Sequence, residues 1–580
     1  MSTRCVVHVL TQTKTLTLTL DQIHGVIWKR VEAIRMDARQ GIPDHDLSMK
    51  NMTITDDTDV VDIFWKMMPL DRDALCKIVR ERAEDIDDKK YRNWNVHHID
   101  EAIKVIIGGA QFTTHTDLWS TEYKGIMPPP DFGRYLTKDR FTRVLRYWAR
   151  GNLGVEHDLG HDPWGEVRPW IEDHNNKRLK ELSPGTRLVA DESMLPWHGN
   201  AGSGGVPHLS FIKRKPHPLG VELKTVCDCS TGVMMYCDLQ EGKIRMQRKH
   251  YADKFPHTTA CTARLFFKMG MNETGIRNRI HRIVYADSWF AGRATARALM
   301  AELGLHFTGP VKTNTRGFPI DALRWAVSEE ERGGHVVFHN EEEDLWAVGW
   351  NDHHYKCYIT TQGTTEPGKD AQKKRQRLND GRNYNVAVKR PDVIARYQSD
   401  MGFVDRHNRF RHEMLGLHEI WKTKRWQTRL QIEMIAIAVI DTYLLARKFM
   451  PRYADDANDE TSSFWKFTRD LIVQLTRDRP PDDESSSRYF QVATGKYVVQ
   501  EGPNKGKKFS KQYCCHYCAL SRRKEVKTDG TAGTKAPRTS YSCIAHPKIY
   551  MCRKGKCTCW EEHLADITLG KGDQTGSLDI

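Results

Sequence analysis

The stretch Arg187–Gly199, RLVADESMLPWHG, decides how the rest of this 580-residue chain is read. Arg187 to Ala190 has the composition of a short strand and delivers Asp191 at its C-terminal end. Downstream, Glu222–Val226 and Val233–Tyr236 are β-rich runs joined through Ser230-Thr231-Gly232, the pattern of a hairpin. His281–Ala286 (HRIVYA) is a third strand and delivers Asp287. A helix (RATARALMAELG) and a further strand (HFTGPVK) follow. Strands mixed with helices in this order indicate an α/β or α+β unit. A third aspartate, Asp405 in MGFVDRHNRF, falls on a predicted helix.

Carboxylates at strand ends suit phosphodiester chemistry. Hydrolysis and strand transfer need an activated oxygen nucleophile and a stabilised leaving oxygen, and two divalent metals clamp both. Magnesium takes hard oxygen ligands and keeps several waters, so a few converging carboxylates suffice. An aspartate after a strand is also a common turn residue, and spacing along the chain does not decide whether three such residues meet.

Working outward, Asp62 to Trp148 reads as helical. Ile99, Ile103, Ile106 and Ile107 share one face, as do Phe141, Val144, Leu145 and Trp148, with Thr137 as N-cap and Asp139 in the first turn of the second helix. Residues 313–395 read as irregular and polar. A helix carrying Asp405 and a long one from Trp426 to Lys448 follow, then acidic, Ser/Pro-containing linkers.

The formal net charge of +14 and pI near 9.0 fit a polyanionic partner, of which nucleic acid is the commonest. With 39% hydrophobic residues the chain can build a sizeable core. The N-terminus lacks a secretory signal pattern, and the longest apolar run, Met434–Ile440, is too short to span a bilayer. The expectation is an intracellular protein without a membrane segment, whose cysteines stay reduced or bind metal.

Seven of the 14 cysteines fall between Cys514 and Cys559. The pairs Cys515/Cys518, Cys543/His546, Cys552/Cys557 and Cys559/His563 supply eight ligands, enough for two tetrahedral Zn²⁺ sites. An interleaved arrangement puts Cys515, Cys518, Cys552 and Cys557 at one site and the other four ligands at the second, with Cys514 and His516 as alternatives. Ubiquitin-transferring and histone-reading zinc modules share this spacing. Nearby Arg522, Arg523, Lys524, Lys527, Arg553 and Lys554 favour DNA phosphate contact instead. Two other basic clusters are candidate DNA contacts. Lys213, Arg214 and Lys215 precede the hairpin, with a solvated turn as the competing reading; Lys373, Lys374, Arg375 and Arg377 also match a nuclear localisation signal.

These motifs, in order, resemble those of piggyBac-type DNA transposases, from Asp62 to Leu445 and again in the tail. Asp191-Glu192 followed by Pro196-Trp197-His198-Gly199 matches the first motif, and Lys215-Pro216 with the hairpin matches the next element. Asp287-Ser288-Trp289-Phe290 and Gly402-Phe403-Val404-Asp405 match the second and third aspartate motifs, and Arg425-Trp426 opens the matching long helix. The resemblance implies a multidomain α+β fold whose RNase H-like catalytic core binds two Mg²⁺ through Asp191, Asp287 and Asp405. It further implies an insertion domain, a mainly helical dimerisation and DNA-binding domain, and a C-terminal cross-braced zinc domain that reads the element's terminal repeats. Such enzymes excise DNA through hairpin intermediates and insert it at TTAA sites, so double-stranded DNA, a homodimer and the nucleus are the expected partner, assembly and compartment.

The expected boundaries are 1–55 for a poorly determined N-terminal segment, 56–185 and 416–478 for the two parts of the helical domain, and 186–312 and 396–415 for the core. The insertion would span 313–395, a linker 479–513, the zinc domain 514–566 and a tail 567–580. Four departures from the family pattern stand out. Asn408 replaces a common fourth acidic residue, Ser288 a usual asparagine, Asp441 an asparagine, and His546 a cysteine. The alternative expectation is a domesticated, catalytically inactive descendant that keeps DNA binding.

Overall fold

The computed structural model describes residues 26–32, 35–36, 44–112, 118–121, 130–149, 162–197, 199, 205–271, 282–376, 381, 383–454 and 460–475, with isolated strands elsewhere. The chain divides into two compact units, Met1–Arg477 and Asp478–Ile580. In the second, three short antiparallel pairs are described, among them Gln491–Ala493 with Tyr541–Cys543.

The first unit is organised by one strand, Arg187–Pro196, which is buried along almost its whole length, as expected where both faces of a sheet are covered. On one side it pairs antiparallel with Leu219–Asp228, which in turn pairs with Met234–Leu239 and with the short Ser210–Phe211. On the other side it pairs parallel with Ile283–Ala286, and that strand pairs parallel with His306–Pro310. Three antiparallel strands, Tyr355–Thr360, Leu345–Asn351 and His335–Asn340, continue the sheet, and Lys29–Val31 forms its far edge. The result is a ten-stranded mixed sheet. Three antiparallel strands followed by parallel ones separated by helices fit an RNase H-like core within a mixed α+β fold.

Parallel pairing follows from the connections. The helix His257–Lys268 precedes Ile283–Ala286, and the helix Arg293–Leu303 separates that strand from His306–Pro310. The two helices are tied by the Thr259 and Thr295 hydroxyls at 3.0 Å. The hairpin turns at Gly232, whose φ of +87° suits glycine, and Asp228 accepts from the backbone N–H and the hydroxyl of Ser230 there.

The helix Trp426–Phe449 is buried on nearly all sides from Thr428 to Ala446, the signature of a core helix. It nevertheless carries two buried acids. Asp441 meets Arg178 at 2.5 Å, accepts from the Met234 N–H at 2.8 Å and faces His407 at 3.2 Å. Glu433 lies 3.2 Å from the equally buried Arg411. Each charge is thereby offset; either one unpaired would cost several kcal/mol. Among the described residues no helix is long and apolar enough to cross a membrane.

Thr137 caps Lys138–Trp148 through the Arg140 N–H, and the isoleucine face of Val96–Gly108 is buried, both as expected. Two regions differ from their sequence reading. Residues 313–395 are not irregular: they hold the helix Ile320–Ser328, the three strands that extend the sheet, and a hairpin of Ala371–Gln376 with Asn383–Val388. Each strand is short and bounded by charged turns, so its pattern is weak until pairing onto His306–Pro310 through Tyr355–Thr360 gives it a place in the sheet. The N-terminal segment likewise contributes more than expected. Trp28 is buried, with its indole N–H donating to the Gly317 carbonyl at 3.0 Å, beside the edge strand Lys29–Val31.

Candidate active site

Register brings the first two aspartates together. Ala190 and Ala286 are partners in the parallel pair, so Asp287, which follows the end of its strand, comes beside Asp191, which lies within Arg187–Pro196 and not at a strand end as expected. Their carboxylate oxygens and one of Glu192 lie within 4.8 Å of one another. Asp191 and Glu192 are buried, whereas Asp287 is a quarter exposed. Asp287 also shapes its own turn, because its carboxylate accepts from the Trp289 N–H at 2.8 Å.

Asp405 comes from the helix Gly402–Arg409 and is 69% exposed. It is not part of the close trio but is joined to it by a shared cation. The Lys215 ammonium stands 3.5 Å from Asp405 and 3.8 Å from Glu192. Arg214 pairs with Glu192 and lies 3.6 Å from Asp287. The loop between Ser210–Phe211 and Leu219–Asp228 thus lays two cations across the acids, while Lys213 is exposed to solvent. A backbone-contacting role for Lys213, Arg214 and Lys215 was the sequence expectation. In the structure two of the three engage carboxylates.

Electrostatics separate the two adjacent acids. Burial, a hydrogen bond with Glu192 and the charges of Glu192 and Asp287 push the Asp191 carboxyl well above the usual range, against the pull of Lys215. Burial also acts to raise Glu192, but its hydrogen bond with Asp191 and the cations Lys215, Lys224 and Arg214 outweigh it and hold Glu192 low. The two neighbouring carboxyls are thereby pushed in opposite directions, Asp191 up and Glu192 down. All the donors here are hard oxygens, the set that suits a magnesium-like cation.

Glu192 is the residue whose role sequence reading left unassigned, although it stands inside the first motif. Alternation along a strand predicts that residues 191 and 192 face opposite ways, so the pattern gave no signal that both carboxylates would converge. Behind them, Lys224 is buried over the Trp289 ring at 3.5 Å and pairs with Glu222 at 2.7 Å. Phe290 is fully buried and Trp289 packs edge-on against it.

Asn408 does not face the trio. Its side-chain oxygen accepts from the Ser193 hydroxyl at 2.6 Å and from Arg411 at 3.0 Å, and Arg411 also donates to Ser193 and to the Met194 carbonyl. Arg411 sits on a π-helical turn, Phe410–Leu415, that continues the Asp405 helix and ends at Gly416 with φ +60°. The network anchors that helix to the Asp191 strand.

The remaining expected residues are more distant. Lys373 lies on the Ala371–Gln376 strand and pairs with Asp352 at 2.9 Å, and Arg375 on the same strand is exposed. Arg377 and the side chain of Lys374 lie outside the described residues. So do Cys515, Cys518, His546, Cys552, Cys557, Cys559, His563 and the side chain of Cys543.

Residues 61–443 match the family described as Transposase IS4. The fold is similar to that of a piggyBac transposase solved by cryo-electron microscopy as a synaptic complex with hairpin DNA. The TM-score is 0.56 and the identity 17%, over 75% of this chain and 85% of that one. No curated protein matches this chain in sequence.

Proposed function

The chain belongs to the family of piggyBac-type transposases, and on that premise we propose that it is a cut-and-paste DNA transposase. In this reading it excises and integrates a mobile element at TTAA sites by metal-dependent hydrolysis and strand transfer. The observation that carries the proposal is the parallel register that sets the Asp191 and Asp287 carboxylates within 4.8 Å, with Asp405 across the shared Lys215.

Asp191, Asp287 and Asp405 would hold two Mg²⁺ ions, which when bound supply nucleophile activation and leaving-oxygen stabilisation. Glu192, whose carboxylate converges with those of Asp191 and Asp287, offers a further oxygen donor beside them. Arg214 and Lys215 keep the acids from repelling one another before substrate arrives, and both are long enough to turn toward a DNA phosphate. The Ser193–Asn408–Arg411 network fixes the Asp405 helix against the Asp191 strand, so the third carboxylate is positioned from outside the sheet.

The tail completes the reading. Cys515, Cys518, Cys543, His546, Cys552, Cys557, Cys559 and His563 would bind two structural Zn²⁺ ions and present basic residues to the element's terminal repeats. Pairing of two DNA ends calls for a homodimer, and the substrate places the protein in the nucleus. A second reading has one observation in its favour. Asn408, where relatives often carry an acid, is neutral and its oxygen is committed to Ser193 and Arg411, which fits a DNA-binding descendant without activity.

Purified protein incubated with DNA bearing the element's ends separates the two. The proposal predicts strand cleavage that needs Mg²⁺, stops with chelator, and is lost in Asp191→Asn, Asp287→Asn and Asp405→Asn. Binding without cleavage in the parent would favour the inactive descendant.

A further inference from the structure

The loop that lays Arg214 and Lys215 across the acids ends in Pro216-His217-Pro218, and His217 reaches a second cluster that the proposed chemistry does not use. Its ring packs 4.9 Å from that of His418 and 5.4 Å from that of His412, and the latter two are 4.9 Å apart. Ligand atoms of His217, His418 and Glu419 all lie within 4.8 Å of one another. His418 is buried at 2% exposure, and its Nε2 lies 3.6 Å from Glu419 Oε1. Its Nδ1 faces the buried Glu433 carboxylate at 3.9 Å.

That arrangement has the logic of a metal centre. A ligating histidine typically binds through one ring nitrogen and aims the other at a carboxylate, which fixes the tautomer and raises its basicity. Glu433 stands in that supporting position for His418. Glu419 offers Oε1 toward His418 while Lys422 takes Oε2 at 2.8 Å, so ligation need not displace the lysine. Prolines on both sides of His217 restrict its backbone, which limits the entropy lost on binding. His412 is not counted as a ligand, since its Nε2 accepts from Arg411 at 3.1 Å.

We propose that His217, His418 and Glu419 form a binding site for a borderline divalent cation such as zinc, closed on its open side by water. Two imidazoles and one carboxylate are a donor set that zinc takes, at bond lengths near 2 Å, after the ligands draw in by roughly 1 Å. The site is distinct from the magnesium-type trio, which has oxygen donors alone. Its consequence is mechanical: the ion ties the basic loop to the segment Gly416–Glu419 and so fixes where Arg214 and Lys215 stand.

The test is metal content of the full chain, purified and dialysed after loading with zinc or cobalt(II). Parent protein is compared with His217→Ala and with Glu419→Gln, whose side chain is 42% exposed and whose replacement does not threaten the fold. Both variants should lose about one equivalent of metal relative to the parent, whatever the cysteine-rich tail retains. In the cobalt form the missing component should lack thiolate charge-transfer bands. Zinc should also slow tryptic cleavage after Lys213 and Arg214 several-fold in the parent but not in His217→Ala. Equal metal content in parent and both variants, with equal thermal melting, would overturn the proposal and leave a packed cluster of neutral imidazoles. None of these readouts depends on transposition, so an inactive enzyme would not affect the result.

Discussion

Asp441 illustrates how much a single side chain can rearrange. The family resemblance leads one to expect an asparagine at this position, yet here a carboxylate sits fully buried on the long helix, where Arg178 crosses from another helix to meet it. The Asp441→Asn variant would leave the Arg178 guanidinium buried without its counter-charge. Breaking such a pair costs about 3–5 kcal/mol, so the variant should unfold at markedly lower urea concentration. Asn408 presents the opposite case. The Asn408→Asp variant would keep both hydrogen bonds and add charge beside Arg411, 3.0 Å away. It should fold as well as the parent and cleave DNA faster at limiting Mg²⁺. Slower cleavage with unchanged folding would show that the neutral amide is the form the site requires.

At the level of elements, the placement of Asp287 depends on how closely two parallel strands approach. A Cβ on Gly309, in His306–Pro310, would stand 2.7 Å from the Ala286 carbonyl and 2.9 Å from the Ala291 Cβ. Ala286 immediately precedes Asp287, so Gly309→Ala should displace the Asp287 turn and, on the proposed function, reduce cleavage at least about tenfold, with some loss of stability. Gly292, at the N-terminus of the helix that follows that turn, has extended backbone and open space around it. Gly292→Ala should therefore leave cleavage close to parental, and the pair measured side by side separates crowding from general sensitivity to mutation.

The elements also show what could be read in advance. The strand delivering Asp287, the hairpin and the two helices around Asp405 and Trp426 carry strong local patterns and form close to where expected, whereas the strand of Asp191 runs on to Pro196, well past its expected end at Ala190. What was illegible depends on distant partners. The strands His335–Asn340 and Leu345–Asn351 gain their meaning only from the sheet edge they join, and Lys29–Val31 pairs with a strand far along the chain, His335–Asn340. Glu192 and the cations Arg214 and Lys215 belong to the same class, since their roles arise from side chains converging across the sheet and not from spacing along it.

Across the whole molecule, buried charge sets the response to pH. Burial alone would raise the Asp441 carboxyl, but Arg178 and His407 outweigh it and hold the group at about 2; Glu433 is held at about 2 in the same way. Both pKa values are depressed on folding, so their contribution is present above pH about 4 and is lost as pH falls toward about 2. Asp400 acts in the other sense. Burial lifts its carboxyl to about 6 despite Arg187, so the stability it contributes is full below its ordinary value and is lost as pH rises through about 6. Unfolding monitored across pH should show a steep acid loss in the parent that is shallower in Asp441→Asn, while Asp400→Asn should flatten the profile between about 4 and 6. The net charge of +14 adds a second molecular property: DNA affinity should fall steeply and linearly on a log–log plot against salt.

On the proposed function, Asp191, Asp287 and Asp405 act together as the metal-dependent centre of a working transposase. Excision in cells from a reporter carrying the element's own flanking ends tests it most directly, with the intact chain beside Asp287→Ala. Excision by the parent should leave an intact TTAA and disappear in the variant. Excision that persists in Asp287→Ala, or none by the parent while it still binds the ends, would contradict it.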